Sequence, residues 1–291
     1  MKIVASIGIF DGVHRGHQKI LARLVKEAAK HKSKSLVVTF EPHPREVLNP
    51  GSRVALLTSL QHRLDLIKGL GIDFLLVVKF TKSFSRIKAE DFINAFLVSG
   101  INIKTIVVGA NFLFGARRKG DFRLLKKASK KFGFRLIGVK PLKIGSIYVS
   151  STNIRKKIQK GDLKDASKML GRPVTVFGTV IKGRSIGRKI GFPTANIDPH
   201  HEAIPPSGVY AVNVRLDKRI FAGILNIGTR PTFGRKSPPV IELHIFNYNK
   251  NLYGKDIKVI FKVKIRNERK FPSIESLRRQ IEKDIQFARR Q

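Results

Sequence analysis

The order of apolar segments changes part-way along this chain of 291 residues, and that change constrains the fold more than any other feature. Before residue 171, short β-rich segments alternate with longer segments whose apolar residues recur at helical spacing. After Gly171-Arg172-Pro173, strand-like segments follow one another with Gly, Pro and Asn between them. We therefore predict two domains of different architecture, residues 1–171 and residues 172–291.

The first region has the pattern of an α/β domain. Residues 18–30 place their apolar side chains on one helical face. The segments predicted as strands between such helices are Val4–Ile9, Ser35–Phe40, Leu75–Phe80 and Thr105–Val108. Alternating strands and helices predict a Rossmann-like domain, a mostly parallel sheet with helices on both faces. Because ligands of such sheets bind beyond the carboxyl ends of the strands, a site is expected in the loop after the first strand.

The second region predicts an antiparallel β-barrel followed by a terminal helix. Its predicted strands are Thr175–Ile181, Gly208–Leu216, Phe221–Ile227, Val240–Phe246 and Ile257–Val263. The helix is predicted from about Ser273, a residue type that caps helix N-termini. One helical face is predicted to be apolar, with Ile274, Leu277, Ile281, Ile285 and Ala288 on it.

The chain is strongly basic along its whole length. It has 58 Lys and Arg against 20 Asp and Glu, a formal net charge of +38, and 34 of the 58 basic residues precede residue 171. Such a charge can attract nucleic acid, an anionic membrane or phosphorylated small molecules. It can equally reflect a Lys-rich composition on solvated faces. Charge alone does not choose among these partners.

Other features exclude classes of protein. The chain has no Cys, which excludes disulfides, thiolate metal sites and Cys nucleophiles. No apolar run approaches the roughly 18 residues of a transmembrane helix, and the apolar opening lacks the pattern of a cleaved signal peptide. We therefore expect a soluble cytoplasmic protein without a membrane partner.

Two histidines follow the first predicted strand, in the segment Phe10-Asp11-Gly12-Val13-His14-Arg15-Gly16-His17. The glycines let the backbone approach a ligand, and the following helix contributes N–H donors that favour a phosphate. Together the rings can stabilise a charged phosphoryl transition state by hydrogen bonding. A metal site is the weaker interpretation, because no further His, Asp or Glu cluster follows at ligand spacing. As a bare pattern, the pair can also be incidental.

A second segment, Ser150-Ser151-Thr152-Asn153-Ile154-Arg155, lies roughly 135 residues further on, at the start of a predicted helix. Its hydroxyl and backbone N–H groups can bind phosphate, and Arg155 in the first helical turn can grip it. On its own the segment would be an ordinary helix start with a solvated Arg. The two segments in this order are a strong combined signal.

The second region holds a segment whose glycines recur every four residues among cations, at Gly183, Gly187 and Gly191. Such a segment can fold over phosphates with its backbone N–H groups. Thr194 and Asn196 follow with neutral oxygens that suit Mg²⁺ bound together with a nucleotide. Glu242, on a predicted strand, can accept a hydroxyl proton. Alone, these residues would be barrel turns and a solvent-facing carboxylate.

Two other patterns are rejected. Gly183-x-Ser185-x-Gly187 matches a hydrolase nucleophile elbow, but Gly191-Phe192-Pro193 follows where that motif needs a helix. The chain has no Gly-x4-Gly-Lys-Ser/Thr segment, so a kinase of the P-loop type is excluded.

The motifs together resemble the bacterial bifunctional riboflavin kinase/FAD synthetase family over nearly the whole chain. In the first region the matching segments are FDGVHRGH (10–17), TFEPHP (39–44), VVGANFLFG (107–115) and SSTNIR (150–155). In the second they are GFPTAN (191–196), GVYAV (208–212), NIGTRPTFG (226–234), IELHIF (241–246), LYG (252–254) and KIRNERKF (264–271). GFPTAN is specific for the riboflavin kinase fold, whereas His-x-Gly-His occurs in many transferases that move an adenylyl or cytidylyl group.

For the first domain, the resemblance implies a nucleotidyltransferase that joins FMN to the AMP part of ATP, forming FAD and releasing pyrophosphate. It implies that His14 and His17 stabilise the developing charge and that Asn111 lies near the flavin or the nucleotide. It further implies a set of nucleotide- and phosphate-binding residues, namely Gly8, Phe10, Gly16, Ser151, Thr152 and Arg155.

For the second domain, the resemblance implies transfer of the γ-phosphoryl group of ATP to the ribityl 5′-hydroxyl of riboflavin, which gives FMN. Glu242 would be the base, and Thr194 and Asn196 would place Mg²⁺. Nucleotide contacts are implied for Gly183, Gly187 and Gly191, and flavin contacts for Arg266 and Phe271.

Three positions depart from the usual family pattern. Asn111 stands where many relatives have Asp, Tyr148 replaces a residue that is usually basic, and Asn247 lies in a segment that usually reads Leu-Asp-Phe. Three functions therefore stay open: a bifunctional enzyme, a relative that has lost one activity, or a basic nucleic-acid-binding protein on an old enzyme scaffold. For the enzyme we expect small-molecule substrates and at most weak, non-specific nucleic-acid binding. The sequence does not determine the oligomeric state.

Overall fold

The computed structural model describes residues 2–51, 55–100, 103–183, 187, 190–228 and 239–291. The chain forms two compact units. The first comprises Met1–Val54 and Leu60–Asn153, and the second comprises Ala55–Ser59 and Ile154–Gln291. The short segment 55–59 therefore belongs to the second unit although the first unit surrounds it in sequence.

The first unit contains a five-stranded sheet in the order β3-β2-β1-β4-β5. The strands are β1 (Ile3–Ile7), β2 (Lys34–Glu41), β3 (Phe74–Lys79), β4 (Ile103–Gly109) and β5 (Arg135–Val139). Every pairing in this sheet is parallel, as the alternation of strands and helices predicts. A two-stranded ribbon of β6 (Lys143–Ile144) and β7 (Ile147–Tyr148) follows.

Helices cover both faces of the sheet. They are α1 (Arg15–Lys30), α2 (Pro44–Leu48), α3 (Leu60–Lys68), α4 (Ala89–Phe92), which continues as the π-helical segment Ile93–Gly100, and α5 (Phe122–Phe132). Successive residues of β1 point to opposite faces. Val4 packs in one core with Leu21 and Leu24 of α1, whereas Ala5 packs in a second core with Leu125 of α5. The predicted sheet with helices on both faces is confirmed.

In the second unit, six strands form a closed antiparallel barrel in the order β10-β11-β12-β9-β8-β13. The strands are β8 (Thr175–Ile181), β9 (Ala195–Asp198), β10 (Gly208–Leu216), β11 (Arg219–Gly228), β12 (Val240–Ile245) and β13 (Asp256–Arg266). Two helices precede the barrel, α6 (Ser151–Gln159) and α7 (Leu163–Leu170), and α6 begins in the first unit. The predicted barrel is confirmed, but β9 is a four-residue strand with no alternating pattern to reveal it.

The terminal helix α8 (Ile274–Arg289) begins where the sequence predicts. Ser273 is its N-cap, and reciprocal hydrogen bonds between Ser273 and Ser276 form a capping box. Ile281, Ile285 and Ala288 pack against the outer face of the barrel. Ile274 was predicted on the apolar face but is 70 % exposed, because it is the first residue of the helix and belongs to no core cluster. No helix in the described part of the chain is long and apolar enough to span a membrane.

Candidate active sites

The strand order of the first unit locates a binding crevice. From β1 the chain adds β2 and β3 on one side, and it then adds β4 and β5 on the other. Ligands of open parallel sheets bind at such a reversal, beyond the carboxyl ends of the strands. The segment of residues 8–14, named here the histidine loop, follows β1 at this point, and Asn111 follows β4 beside it.

The two histidines form one compact group. His14 caps helix α1, and its Nδ1 accepts a hydrogen bond of 3.3 Å from the backbone N–H of His17. The two rings stack with their centroids 3.6 Å apart, and the ring of Phe10 meets His17 edge-on at 5.3 Å. A Cβ on Gly16 would lie 3.1 Å from the His14 ring, so a larger residue at this position would push the ring by a few tenths of an ångström.

Packing sets the charge of His17. Burial, followed by the effect of nearby His14, lowers the pKa of His17 well below its usual range, so the imidazole is neutral at neutral pH. Its Nδ1 is buried and has no hydrogen-bond partner among the described residues. A neutral imidazole carries one N–H donor, and it lies in the first turn of α1, where the helix dipole favours an anion.

The structure brings Ser151 to the histidine loop. The Ser151 Oγ donates a hydrogen bond of 2.9 Å to the carbonyl oxygen of Asp11. Thr152, the next residue of α6, is exposed. One turn further along α6, Arg155 belongs to the second unit and donates from Nε to the carbonyl oxygen of Ala55. The predicted phosphate contacts of these three residues remain predictions.

Gly8 and Asn111 make close contacts near the same loop. A Cβ on Gly8 would lie 3.2 Å from the Phe10 ring, which itself contacts His17. Asn111 is exposed, and its Oδ1 lies 3.1 Å from the position that a Cβ on Gly109 would take. The side chain of Ile20 in α1 lies 3.6 Å from that position. Asn111 and Ile20 of α1 therefore both lie close to Gly109, at the end of β4.

A polar row crosses three strands of the barrel and forms the second candidate site. Glu242 of β12 pairs with Asn196 of β9 on one side and with Asn226 of β11 on the other. Directly paired residues share a face of the sheet, and alternate residues of β12 are buried, which places these three on the outer face. Asn196 is only 8 % exposed. Asn226 was not predicted from the sequence, because its place beside Glu242 follows only when the pairing of β11 with β12 is known.

Two described glycines of the glycine-rich segment, Gly183 and Gly187, lie against Asn196 and Thr194. A Cβ on Gly183 would lie 1.8 Å from the Asn196 amide nitrogen, and one on Gly187 would lie 2.9 Å from the Thr194 Oγ1. Both glycines therefore leave space that these two polar side chains need. Most of the predicted phosphate-binding segment, residues 184–186 and 188–189, lies outside the described residues.

A cavity of about 570 Å³ lies at the end of β12, where His244 is one of its lining residues. Its walls come from the end of β12 with the residues after it, from the segment 191–193 and from α8; they include Gly191, Phe192, His244, Phe246, Asn247 and Arg289. His244 Nδ1 lies 2.8 Å from the carbonyl oxygen of Pro193 and links two of these walls. His244 follows Glu242 by two residues, so both lie on the same face of β12.

Comparison with known proteins identifies the family. A family model described as FAD synthetase matches residues 1–153, and one described as riboflavin kinase matches residues 170–291. A bifunctional riboflavin kinase/FMN adenylyltransferase of Buchnera aphidicola subsp. Schizaphis graminum is 42% identical over 98% of this chain and 92% of its own length. Its counterpart in Haemophilus influenzae is 40% identical over 98% and 92%. The chain belongs to the bifunctional riboflavin kinase/FMN adenylyltransferase family.

A solved structure from Streptococcus pneumoniae, described as a macrolide-efflux protein, superposes with a TM-score of 0.86. It is 31% identical, and the match covers 99% of this chain and 94% of that one. The folds of both units therefore recur in that protein. The resemblance stated from the motifs is confirmed.

Two residues with implied flavin contacts in this family are engaged elsewhere. Arg266 forms an ion pair of 2.8 Å with Asp284, which is 2 % exposed on α8, and its guanidinium lies 5.5 Å from the Phe271 ring centre. Neither Arg266 nor Phe271 is among the described residues that line the 570 Å³ cavity. Their arrangement attaches α8 to the end of β13, and a flavin contact stays a prediction.

Two departures from the family pattern have local consequences. Tyr148 is half exposed, and the ammonium of Lys143 lies 4.5 Å from its ring centre, so a cation is present next to a position that is usually basic. Asn247 lines the cavity with φ of 55°, a left-handed conformation that Asn tolerates better than most residues.

The described residues contain no group of three or more His, Asp or Glu side chains that could hold a metal ion. The donor set that fits Mg²⁺ is a different one. Thr194 and Asn196, whose side chains fill the space that Gly187 and Gly183 leave, carry neutral oxygens that would suit Mg²⁺. Mg²⁺ in nucleotide sites takes few protein ligands because phosphates and waters supply the rest.

Proposed function

We propose that this chain converts riboflavin to FMN in its second unit and FMN to FAD in its first unit, with ATP as co-substrate of both steps. One observation carries the proposal: each of the two family models covers one of the two polar constellations, the stacked histidines or the Asn196–Glu242–Asn226 row. Cytoplasmic location belongs to the same proposal, since both steps consume ATP.

In the first unit, an oxygen of the FMN phosphate attacks the α-phosphorus of ATP. The new P–O bond forms as the bond to pyrophosphate breaks, and pyrophosphate leaves with the electron pair. Negative charge grows on the transferred phosphoryl oxygens and on the leaving group. The N–H of neutral His17, His14 beside it and the N-terminus of α1 supply donors and positive potential for that charge.

In the second unit, Glu242 accepts the proton of the ribityl 5′-hydroxyl while its oxygen attacks the γ-phosphorus of ATP. ADP then leaves with the electron pair of the broken P–O bond. Thr194 and Asn196 would hold Mg²⁺, which would neutralise charge on the phosphates when bound. Asn226 flanks Glu242 and is suited to hold the carboxylate or the substrate hydroxyl in place.

The riboflavin ring belongs in the 570 Å³ cavity. That volume lies within the range of about 300–1,000 Å³ that is usual for small-molecule sites. Phe192, His244 and Phe246 give it aromatic walls, and an aromatic ring system packs well against such side chains. The two-residue step along β12 from His244 to Glu242 is about 7 Å, which suits a ribityl chain leading from the ring to the base.

The test is direct. Purified protein is incubated with riboflavin, ATP and Mg²⁺, and the flavins are separated by chromatography over time. We expect FMN to appear first and FAD to follow. FMN alone would favour a relative that has lost adenylyl transfer. Neither product, together with tight DNA binding, would favour the nucleic-acid-binding alternative.

A further inference from the structure

The histidine loop has an unfavourable backbone conformation. Phe10 has φ of 52° and Val13 has φ of 39°, both in the left-handed region. A β-branched residue such as Val rarely adopts that conformation, and outliers of this kind persist only where the surrounding structure holds them. The loop carries His14 and leads to His17, so whatever holds it also sets the position of both rings.

Side-chain burial and hydrogen bonds hold the loop. Phe10 and Val13 are 3 % and 2 % exposed and pack in the core beneath α1. Side chains outside the loop donate hydrogen bonds to two of its carbonyl oxygens. Ser151 donates to the carbonyl of Asp11, and Gln18 donates to the carbonyl of Val13. The carbonyl of Ile9, where the loop leaves β1, accepts two more, one from Thr39 Oγ1 and one from Arg63 Nη1, each 3.1 Å long.

Arg63 is an unusual donor because its side chain is only 1 % exposed. It lies on α3, and its Nη2 also donates to the Phe40 carbonyl at 3.1 Å and to Glu41 Oε2 at 2.8 Å. One guanidinium therefore joins the ends of β1 and β2, the two strands on one side of the crevice. Burying a cation is costly unless several acceptors surround it, and only the planar guanidinium fork reaches three acceptors at once.

We propose that Arg63 is a positioning residue for adenylyl transfer, which fixes the start of the histidine loop so that His14 and His17 meet the reacting phosphate. The inference rests on the proposed function of the first unit. Arg63 itself needs no contact with substrate. Displacement of catalytic groups by about 1 Å can cost 10²-fold in rate, so the loss of Arg63 should lower turnover more than substrate binding.

The experiment uses the full chain and measures two activities in each variant. Arg63→Ala should lower the kcat of FAD formation from FMN by about 10²-fold, while the KM for ATP changes less than about threefold. Riboflavin phosphorylation, a reaction of the second unit, should be unchanged, and a circular-dichroism spectrum and melting curve that match those of the wild-type chain report that the first unit is folded. Methylguanidinium in the assay should raise the rate of FAD formation by Arg63→Ala at least tenfold, because it can occupy the space that the Arg63 guanidinium vacates.

Arg135→Ala is the matched control. Arg135 is a half-exposed arginine of the same unit, and it pairs with Glu27 away from the loop. The Arg135→Ala variant should keep both FAD formation and riboflavin phosphorylation unchanged. A near-normal kcat in a folded Arg63→Ala variant, or a loss that methylguanidinium fails to restore, would overturn the proposal.

Two milder variants test the role of Arg63 if Arg63→Ala does not fold. Arg63→Lys keeps the charge but cannot reach all three acceptors, so its kcat should still fall at least tenfold. Thr39→Val removes the other hydrogen bond to the Ile9 carbonyl, and combining it with Arg63→Lys should cost more than the product of the single effects. Normal turnover in Arg63→Lys, or independent effects in the double variant, would refute the inference. If the wild-type chain makes no FAD from FMN, the proposed function fails instead.

Discussion

At the scale of single residues, the environment of His17 decides its protonation state. Its ring packs between His14 and Phe10, and burial holds its pKa well below the usual range. The unfolded chain has a His pKa of about 6.5. Between these two values the unfolded state binds more protons than the folded state, so folding stability is present above about pH 6.5 and is lost as the pH falls below it.

We therefore predict a pH dependence of stability that belongs to His17. Below about pH 6.5 the free energy of unfolding of the first unit should fall by at most about 1.4 kcal/mol per pH unit from this residue. His17→Gln cannot be protonated, so it should show a shallower fall over the same interval. Urea unfolding of both proteins at pH 7.5 and 5.5 measures the difference. Parallel pH profiles would show that His17 does not titrate as its packing implies.

At the scale of elements, a short segment from the first half of the sequence completes the second unit. Glu202 is 4 % exposed. Its Oε1 accepts two hydrogen bonds from Ser59, one from the backbone N–H at 2.7 Å and one from the Oγ hydroxyl at 2.8 Å. The other oxygen, Oε2, accepts from the backbone N–H of Phe177 at 2.9 Å. Leu56 also pairs with the backbone of His201 and Ala203.

This arrangement predicts how an isolated kinase fragment behaves. Residues 172–291 should phosphorylate riboflavin and make no FAD. They lack both the segment 55–59 and the helices α6 and α7, so they should lose activity at a lower urea concentration than the full chain. A buried carboxylate that loses its donors costs about 1–3 kcal/mol. In the full chain, Ser59→Ala should produce part of the same loss. Ser33 is a partly exposed serine of the first unit that donates to the carbonyl oxygen of His31, and Ser33→Ala should not produce it. Equal resistance of fragment and full chain to urea would contradict this role of the segment.

The predictable elements share strong periodicity. Strands β8 and β10 were predicted with the bounds that the structure has, because alternating or continuous apolar residues identify them between clear turns. The histidines, Thr194, Asn196 and Glu242 were predicted because motifs contain them, and their roles stay predictions. Arg63, Asn226 and the segment 55–59 were missed, since their importance depends on contacts between distant parts of the chain that local patterns do not record.

At the scale of the whole molecule, the net charge of +38 still has no assigned partner. One local concentration of charge is on α5, whose exposed cations are Arg123, Lys126, Lys127, Lys130 and Lys131. Solvated faces of this kind bind phosphate backbones through counterion release, without sequence information.

We predict weak DNA binding that is independent of sequence and collapses with salt. Titration of two unrelated duplexes at about 50 and 200 mM salt should give similar affinities for both, with a loss of about 10³-fold or more at the higher concentration. Replacing the five α5 cations by Gln should weaken binding at low salt. A preference between the duplexes, or tight binding at high salt, would indicate a dedicated recognition surface.

The central claim is that two independent sites carry two successive reactions, and crossed variants of the full chain test it most directly. Product flavins are measured from riboflavin and, separately, from added FMN. The double variant His14→Ala/His17→Ala should form FMN normally and make no FAD from either flavin. Glu242→Gln keeps the size of the side chain but loses the base, so FMN formation should fall by about 10²–10⁴-fold. Added FMN should restore FAD formation in Glu242→Gln and not in the histidine variant. If FMN fails to restore it, or if Glu242→Gln phosphorylates riboflavin at a near-normal rate, the assignment of one reaction to each site is wrong.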